Sequence, residues 1–192
     1  MRAVIGRGGL VAMALAGACA AGCGKDCAPT SAGGIELPVN AEVSVKLVKV
    51  AALEAAVDKE KGKVVLADFW ATFCGPCVKK FPNFVALHDK YADKGLVCVS
   101  VSLDDPEEDM DKVRQFLVKS KATFPNFVIR PTNAEDKLLE KKFNYDGTIP
   151  QMALFARDGK RAWDSNTDAL DKDLTVFVEK LDKLVAAELA KK

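Results

Sequence analysis

The chain has 192 residues, of which 49% are hydrophobic, so it is long enough to bury the core of one ordinary domain beside a terminal segment. Its 28 Lys and Arg residues almost balance its 27 Asp and Glu residues, and no basic block stands out, which argues against nucleic acid as a partner. The single histidine, His88, leaves little material for a histidine-rich metal site or a Ser-His-Asp triad.

The first 23 residues have the features of an export signal. Two arginines precede an apolar run of small residues, 8–22, that is too short for a permanent membrane anchor. The run ends in AAGC, which resembles a bacterial lipobox and would place a lipid on Cys23, although the usual leucine three residues earlier is missing. Lipidation at Cys23 and plain cleavage of the signal both stay open, and AGAC ending at Cys19 is a weaker candidate. Either outcome predicts an exported, periplasmic protein.

Residues 24–40 contain Gly, Ser and Pro and predict a flexible linker, which carries Cys27. The remaining residues, 41–192, are predicted to form one domain. Export would place the domain in an oxidising compartment, where disulfides persist. Within the domain, Cys98 lies in the apolar segment LVCVSVSL and is predicted to be a small buried side chain, whereas Cys74 and Cys77 form a closely spaced pair.

Hydrophobic patterning predicts alternating strands and helices along the domain. A continuous apolar run such as KVVLADFW indicates a strand buried on both faces, and Asp-Gly between two apolar segments indicates a hairpin. This order predicts an α/β three-layer sandwich with a mixed central sheet and helices on both faces. Predicted strands occupy 41–48, 63–70, 96–103, 124–129, 150–156 and 161–165, and predicted helices occupy 51–62, 76–91, 106–121, 133–143 and a C-terminal segment with an apolar stripe at Leu170, Leu174, Phe177, Leu181 and Leu184.

The pair Cys74–Gly-Pro–Cys77 could hold a metal, cross-link the fold or exchange electrons. A structural zinc needs four ligands, but the domain has no second cysteine pair, and His88 is more simply explained as a helix-surface or partly packed residue. A disulfide that closes so short a loop adds little stability. Redox chemistry is therefore the favoured hypothesis, and no metal or other cofactor is expected.

The local pattern supports redox chemistry, because the pair follows a buried strand and opens a helix. A cysteine at a helix N-terminus is stabilised as a thiolate, so Cys74 is predicted to be the attacking nucleophile. Pro76 is tolerated early in a helix because it has no N–H group to leave unpaired. Cys77, one turn later, is predicted to resolve the mixed disulfide.

The segment DFWATFCGPC, together with Pro82 and the TIPQ segment at residues 148–151, resembles thioredoxin and in particular the exported thiol–disulfide oxidoreductases of the TlpA/ResA kind. The resemblance covers essentially the whole domain. It implies a cis proline at Pro150, which would bring the backbone of Ile149 beside Cys74, where it could pair with a substrate. Contacts to the substrate are thus expected at Trp70, Gly75, Pro76, Ile149 and Pro150.

Asp68 stands out because an acidic residue inside a buried strand is costly to ionise. Burial should raise its pKa, which suits a proton acceptor near neutral pH. By resemblance to thioredoxin, Asp68 is expected to act as general base for Cys77. The alternative is a strand-end residue that reaches solvent or an N–H partner. Trp70 is expected either to shield the pair or to be an ordinary core aromatic residue.

The sequence departs from the family pattern at Phe73, where tryptophan usually precedes the first cysteine. This change puts partner affinity in doubt but not the chemistry. Ala71 argues against a peroxidase, because that family places Thr or Ser three residues before the attacking cysteine.

The leading hypothesis is an exported reductase of protein disulfides, recharged by a membrane-bound electron donor, with cytochrome c maturation as a pathway that the resemblance implies. The partners expected are protein thiols and disulfides and, if Cys23 is lipidated, the membrane. The alternatives are a disulfide oxidase or isomerase on the same fold, a copper- or zinc-binding thiol protein, and a non-catalytic surface lipoprotein. Gly-Pro between the cysteines favours the reductase, since reducing thioredoxins use it.

Overall fold

The computed structural model describes residues 43–168 and 173–191. Within these residues the chain forms strands and α-helices that largely alternate, with a short 3-10 helix at Ala92–Lys94 after the second α-helix. In chain order the elements are β1 (Val45–Leu47), α1 (Val50–Lys59), β2 (Val64–Trp70), α2 (Gly75–Tyr91), β3 (Leu96–Ser102), α3 (Met110–Lys119), β4 (Asn126–Val128), α4 (Asn133–Phe143), β5 (Gln151–Phe155), β6 (Arg161–Asp164) and α5 (Leu174–Ala190).

The strands form one mixed sheet in the order β1-β4-β3-β2-β5-β6. The first four strands of this order pair in parallel, while β5 pairs antiparallel with both β2 and β6. The β5–β6 hairpin turns at Gly159, whose φ of 81° lies in the left-handed region that favours glycine. The predicted α/β sandwich with a hairpin edge is therefore confirmed.

The central strand β2 is buried along its whole length, as the apolar run predicted. On one face, Leu66 and Trp70 pack in a cluster with side chains of α2, α3 and α5. On the other face, Val65 and Phe69 pack with side chains of α1 and α4. Since successive side chains of a strand point to opposite faces, β2 contributes to both cores and is held rigidly between them.

Helix α1 ends at Lys59, three residues before its predicted end, helix α3 is shorter than predicted, and the buried stripe of α5 differs from the predicted one. The predicted helix at 106–121 begins only at Met110, because Asp105 organises a turn before it. The side chain of Asp105 accepts a hydrogen bond from the backbone N–H of Glu107, and its backbone carbonyl accepts one from the N–H of Asp109, each 2.8 Å long. In α5 the buried stripe runs through Phe177, Leu181, Val185 and Glu188. Leu174 is instead 44% exposed, which corrects the predicted stripe, and Leu170 lies outside the described residues.

The predicted signal at 1–23 and linker at 24–40 lie outside the described residues, as do Cys19, Cys23 and Cys27. No described helix combines the length and the apolar character needed to cross a membrane.

Candidate redox site

Cys74 and Cys77 are joined by a disulfide, with their Cα atoms 5.2 Å apart. Cys74 is the N-cap residue of α2 and Cys77 lies in its first turn. The backbone N–H of Cys77 donates a hydrogen bond to Sγ of Cys74 at 3.3 Å. The pair thus occupies the carboxyl side of β2 and the positive end of α2, as the sequence pattern predicted.

The two sulfurs differ in their surroundings. Cys74 is 9% exposed and Cys77 is 2% exposed. The residues between them, Gly75 and Pro76, are exposed, and so is Phe73 immediately before the pair, at 72%. Cys74 is therefore the less buried of the two cysteines.

Asp68 lies on β2, on the face that packs against α2, and is 3% exposed. Its backbone is in register with Ser100 on β3 and Met152 on β5, so the residue sits in the centre of the sheet. Burial raises the pKa of its carboxyl to about 8, and the positive charge of Lys80 opposes part of that rise. The carboxyl group can therefore take up or release a proton near neutral pH.

Trp70, the last residue of β2, is fully buried. Its ring contacts Phe81 and Phe116 with centroid distances of 4.9 Å and 4.7 Å, and its Nε1 finds no hydrogen-bond partner among the described residues. This burial argues against the expected contact between Trp70 and a substrate. The ring belongs to the same buried hydrophobic cluster as Cys74 and Cys77.

The peptide bond between Ile149 and Pro150 is cis, as the TIPQ segment predicted, and both residues are half-buried. Pro150 lines a groove of about 500 Å³ together with Pro76 of α2. Lys79, Lys80 and Leu174 complete the lining. Pro76 lies between the two cysteines in the chain, so the groove reaches the short loop that the disulfide closes.

Asp104, a buried carboxylate in the loop after β3, was not predicted from the sequence as part of the site. Both of its oxygens accept hydrogen bonds from the backbone N–H of Thr72, and Oδ1 also accepts one from the Thr72 hydroxyl at 2.5 Å. A sequence pattern could have indicated it, because polar residues follow both β2 and its parallel neighbour β3. The carboxyl ends of parallel neighbouring strands meet at one edge of the sheet, so these polar residues are expected to lie close together.

Among the described residues, no group of three or more His, Cys, Asp or Glu side chains is arranged to hold a metal ion. His88 is half-buried on α2, with its ring edge-on to Phe124 at 5.1 Å between centroids. Burial lowers the pKa of its imidazole. Cys98 is free and fully buried on β3, as predicted.

Comparison with known proteins gives the same family as the motif. The family described as Thioredoxin-like matches residues 62–161, just over half of the chain. The thiol-disulfide oxidoreductase ResA of Oceanobacillus iheyensis is 37% identical over 103 residues, which cover 54% of this chain and 47% of that protein. The sporulation thiol-disulfide oxidoreductase A of Bacillus subtilis is 30% identical over 100 residues, covering 52% of this chain and 57% of that protein. The chain thus spans about half the length of the curated relatives it matches.

Solved structures agree on the fold. The thioredoxin domain of a thiol-disulfide oxidoreductase from Bacteroides vulgatus matches with a TM-score of 0.51 and 25% identity, covering 67% of this chain and 83% of that one. A thioredoxin family protein from Chlorobium tepidum matches with a TM-score of 0.53 at 20% identity, covering 69% of this chain and 84% of that one.

Proposed function

The chain belongs to the thioredoxin-like family, and we propose that it is an exported thiol–disulfide oxidoreductase that reduces disulfides in other extracytoplasmic proteins. The observation that carries this proposal is the Cys74–Cys77 disulfide at the start of α2, beside the groove between Pro76 and Pro150. The names of the matching relatives support the same reaction.

In the proposed reaction, the thiolate of reduced Cys74 attacks one sulfur of a substrate disulfide. A bond forms between Cys74 and that sulfur, and the other substrate sulfur leaves as a thiolate. Cys77 then loses its proton to Asp68 and attacks Sγ of Cys74, which releases the second substrate sulfur as a thiolate and closes the Cys74–Cys77 disulfide. Two electrons have then passed from the chain to the substrate.

The surroundings of each group fit its proposed role. Cys74 is the more exposed sulfur and faces a backbone donor, which favours its thiolate. Cys77 is covered and needs an internal base, and a buried carboxyl with a pKa of about 8 can accept its proton. Pro76 and Pro150 would hold the substrate segment, with the backbone of Ile149 available for pairing and Gly75 allowing close approach.

We assign the direction of electron flow from the residues between the cysteines. The Gly-Pro dipeptide occurs in reducing thioredoxins, whose potential is about −270 mV, whereas strong oxidants such as DsbA lie near −120 mV. A reductase outside the cytoplasm needs a source of electrons, so a membrane-bound donor completes the proposal. Disulfides whose cysteines must be reduced before haem attachment in cytochrome c maturation are a substrate class consistent with this proposal.

We also propose that the 1–23 segment directs export to the periplasm, and that Cys23 is the site of a lipid anchor if the signal is processed as a lipoprotein signal. Mass spectrometry of the protein from membrane and soluble fractions tests this proposal. A diacylglyceryl mass on an N-terminal Cys23 would support it, and a chain cleaved elsewhere without lipid would overturn the anchor.

Trapping the mixed disulfide tests the two cysteine roles. The reduced Cys77→Ser variant should form a stable mixed disulfide through Cys74 with a disulfide-containing peptide, because no resolving thiol remains. The Cys74→Ser variant should trap little or none, since Cys77 is covered. Equal trapping by both variants, or by neither, would overturn the assignment.

The reduction potential of the wild-type pair tests the direction. Equilibration with defined thiol buffers should give a value near that of reducing thioredoxins. A value a hundred or more millivolts higher would instead show a disulfide oxidase or isomerase.

A further inference from the structure

Asp104 carries an unusually complete set of hydrogen bonds for a carboxylate that takes no part in the proposed reaction. It is 1% exposed. The backbone N–H of Thr72 donates to its Oδ1 and Oδ2 at 3.1 Å and 3.0 Å, and the Thr72 hydroxyl donates to Oδ1 at 2.5 Å. The hydroxyl of Ser102 donates to Oδ2 at 2.7 Å. Ser102 Oγ in turn accepts a bond from the Asp104 backbone N–H at 3.1 Å.

These bonds join two different parts of the site. Thr72 lies in the short loop between the end of β2 and Cys74, whereas Ser102 is the last residue of β3. A backbone bond from the N–H of Leu103 to the carbonyl of Trp70, 2.9 Å long, ties the same two strand ends together. The loop that delivers Cys74 to α2 is therefore fixed to the neighbouring strand on one side.

The position of Cys74 depends on that loop. The backbone N–H of Cys74 donates to the carbonyl of Ala71 at 3.1 Å, and its Sγ accepts from the N–H of Cys77 at 3.3 Å. Both contacts require residues 71–74 to keep their present path. The backbone N–H groups at the start of α2 are the donors that would stabilise a Cys74 thiolate. If the loop moved away from β3, it would carry Sγ of Cys74 away from these donors.

We propose that Asp104 is a positioning residue of the redox site: through its bonds to Thr72, it holds the Cys74 loop where the N-terminus of α2 stabilises the Cys74 thiolate. This inference rests on the proposed function, because it concerns the reactivity of the attacking cysteine. Asp104 touches neither the substrate nor the reacting sulfurs in the proposed reaction, and it acts through Thr72.

Asp104 could affect the Cys74 thiolate in two ways, as a positioning residue or simply as a negative charge. The two roles change the pKa of Cys74 in opposite directions, so an experiment can separate them. As a mere charge, Asp104 would disfavour the thiolate, so its loss would lower the pKa of Cys74. As a positioning residue it favours the thiolate, so loosening its hold on Thr72 raises that pKa. The Thr72→Val variant removes only the hydroxyl bond and leaves the charge of Asp104, the Asp68 carboxyl on β2 and the lysines Lys79 and Lys80 on α2 unchanged.

The test is the pH dependence of Cys74 alkylation by iodoacetamide in the reduced full-length chain. Mass spectrometry of the peptide containing Cys74 separates its reaction from that of the other cysteines. In Thr72→Val the midpoint of the profile should move to higher pH, and alkylation near neutral pH should slow by about threefold or more, as expected for a smaller thiolate fraction. The matched Thr72→Ser variant keeps the hydroxyl and should retain the wild-type profile.

An unchanged profile in Thr72→Val, with or without a lower melting temperature, would overturn the proposal, because a purely structural role moves stability alone. A lower midpoint in Asp104→Asn together with no change in Thr72→Val would also overturn it, since Asp104 would then act only as a charge. Failure of the proposed function would look different. The reduced Cys77→Ser variant would then trap no mixed disulfide, while the alkylation profiles, which need only a free thiol, would still compare the Thr72 and Asp104 variants.

Discussion

The backbone N–H of Cys77 points at Sγ of Cys74 across 3.3 Å, so the sulfur proposed to attack already faces a donor at the start of α2. On the sheet side of α2 lies Asp68, buried on the middle strand with its pKa raised to about 8. One end of the site thus favours an anion and the other holds a proton. This difference supports the separate roles proposed for two cysteines that lie only one helical turn apart.

Asp68 makes the stability of the protein depend on pH. Its pKa is about 8 in the folded chain against a model-peptide value of 3.8, so the folded state keeps a proton that the unfolded state has lost between about pH 4 and pH 8. Folding stability should therefore fall as pH rises through this window, by up to ~1.4 kcal/mol per pH unit, and level off above it. Urea unfolding of the oxidised chain at several pH values measures this slope.

The Asp68→Asn variant is the matched control for that slope. It keeps the size of the side chain but cannot ionise, so its stability should be nearly flat across the window and should exceed the wild-type value at pH 7 by a few kcal/mol. Equal pH slopes in wild type and Asp68→Asn would show that the carboxyl is not held protonated. The same variant should slow resolution of the mixed disulfide by at least about a hundredfold, the usual contribution of a general base.

Lys80 should tune the proton affinity of Asp68. Its ammonium group lies 4.4 Å from the centre of the buried Phe177 ring, and its charge lowers the pKa of Asp68 against the effect of burial. In Lys80→Met the pKa of Asp68 should rise further, so that the pH at which resolution reaches half its maximum moves upward. Stopped-flow measurement of product release over pH 6–10 follows this shift.

Two controls accompany the Lys80 variant. Lys80→Arg keeps the positive charge and should stay close to wild type. Lys79→Met removes the neighbouring exposed lysine, for which a much smaller change in the pH profile is expected. Similar shifts in Lys79→Met and Lys80→Met would indicate a general effect of net charge rather than the specific placement of Lys80.

Much of this site was predictable from sequence because its parts follow one another along the chain. The order of β2, Cys74 and α2 could be predicted from the local sequence pattern alone. That pattern consists of a largely apolar strand of seven residues, two cysteines one turn apart and a proline at the start of the helix. The cis bond at Pro150 was predicted from the resemblance of the TIPQ segment, and the structure has it.

What was missed depends on contacts between distant parts of the chain. Asp104 and Thr72 are 32 residues apart and meet only because β2 and β3 are neighbours in the sheet. The stripe on α5 was misplaced for a related reason. Apolar residues cover more than one side of that helix, and packing against the sheet selects Val185 for full burial while Leu184 is only partly buried.

Phe73 should contribute to substrate binding and little to stability. It is 72% exposed and directly precedes Cys74. It lies three residues before Pro76, which lines the groove. Phe73→Ser should change unfolding free energy by less than about 0.5 kcal/mol, as is usual for exposed sites, yet raise the KM for a disulfide-containing peptide several-fold. Phe73→Trp adds contact area and an indole N–H, so it should lower that KM.

The control for Phe73 is Leu47→Ser, which removes another exposed apolar side chain, 56% accessible, from the edge strand β1. This substitution should leave KM unchanged, because β1 lies at one edge of the sheet and is separated from β2 by two strands, β4 and β3. Equal increases in KM for the two variants would mean that Phe73 has no particular place in substrate binding.

Cys98 should be structural and should take no part in electron transfer. It is fully buried on β3, and burial raises the pKa of its thiol well above the usual value, so it stays protonated and out of reach of a substrate sulfur. Its Sγ lies 4.0 Å from the carbonyl oxygen of Phe84, a distance that suits sulfur but is too long for a hydroxyl. Cys98→Ser should therefore lose about 1–3 kcal/mol of stability by burying an unsatisfied hydroxyl.

Cys98→Ala should lose less stability than Cys98→Ser, since it leaves no polar group unpaired, and both variants should keep wild-type rates of disulfide reduction. Slower reduction in a well-folded Cys98→Ala protein would instead identify Cys98 as a third participating thiol, because that variant removes only the sulfur from an otherwise intact core.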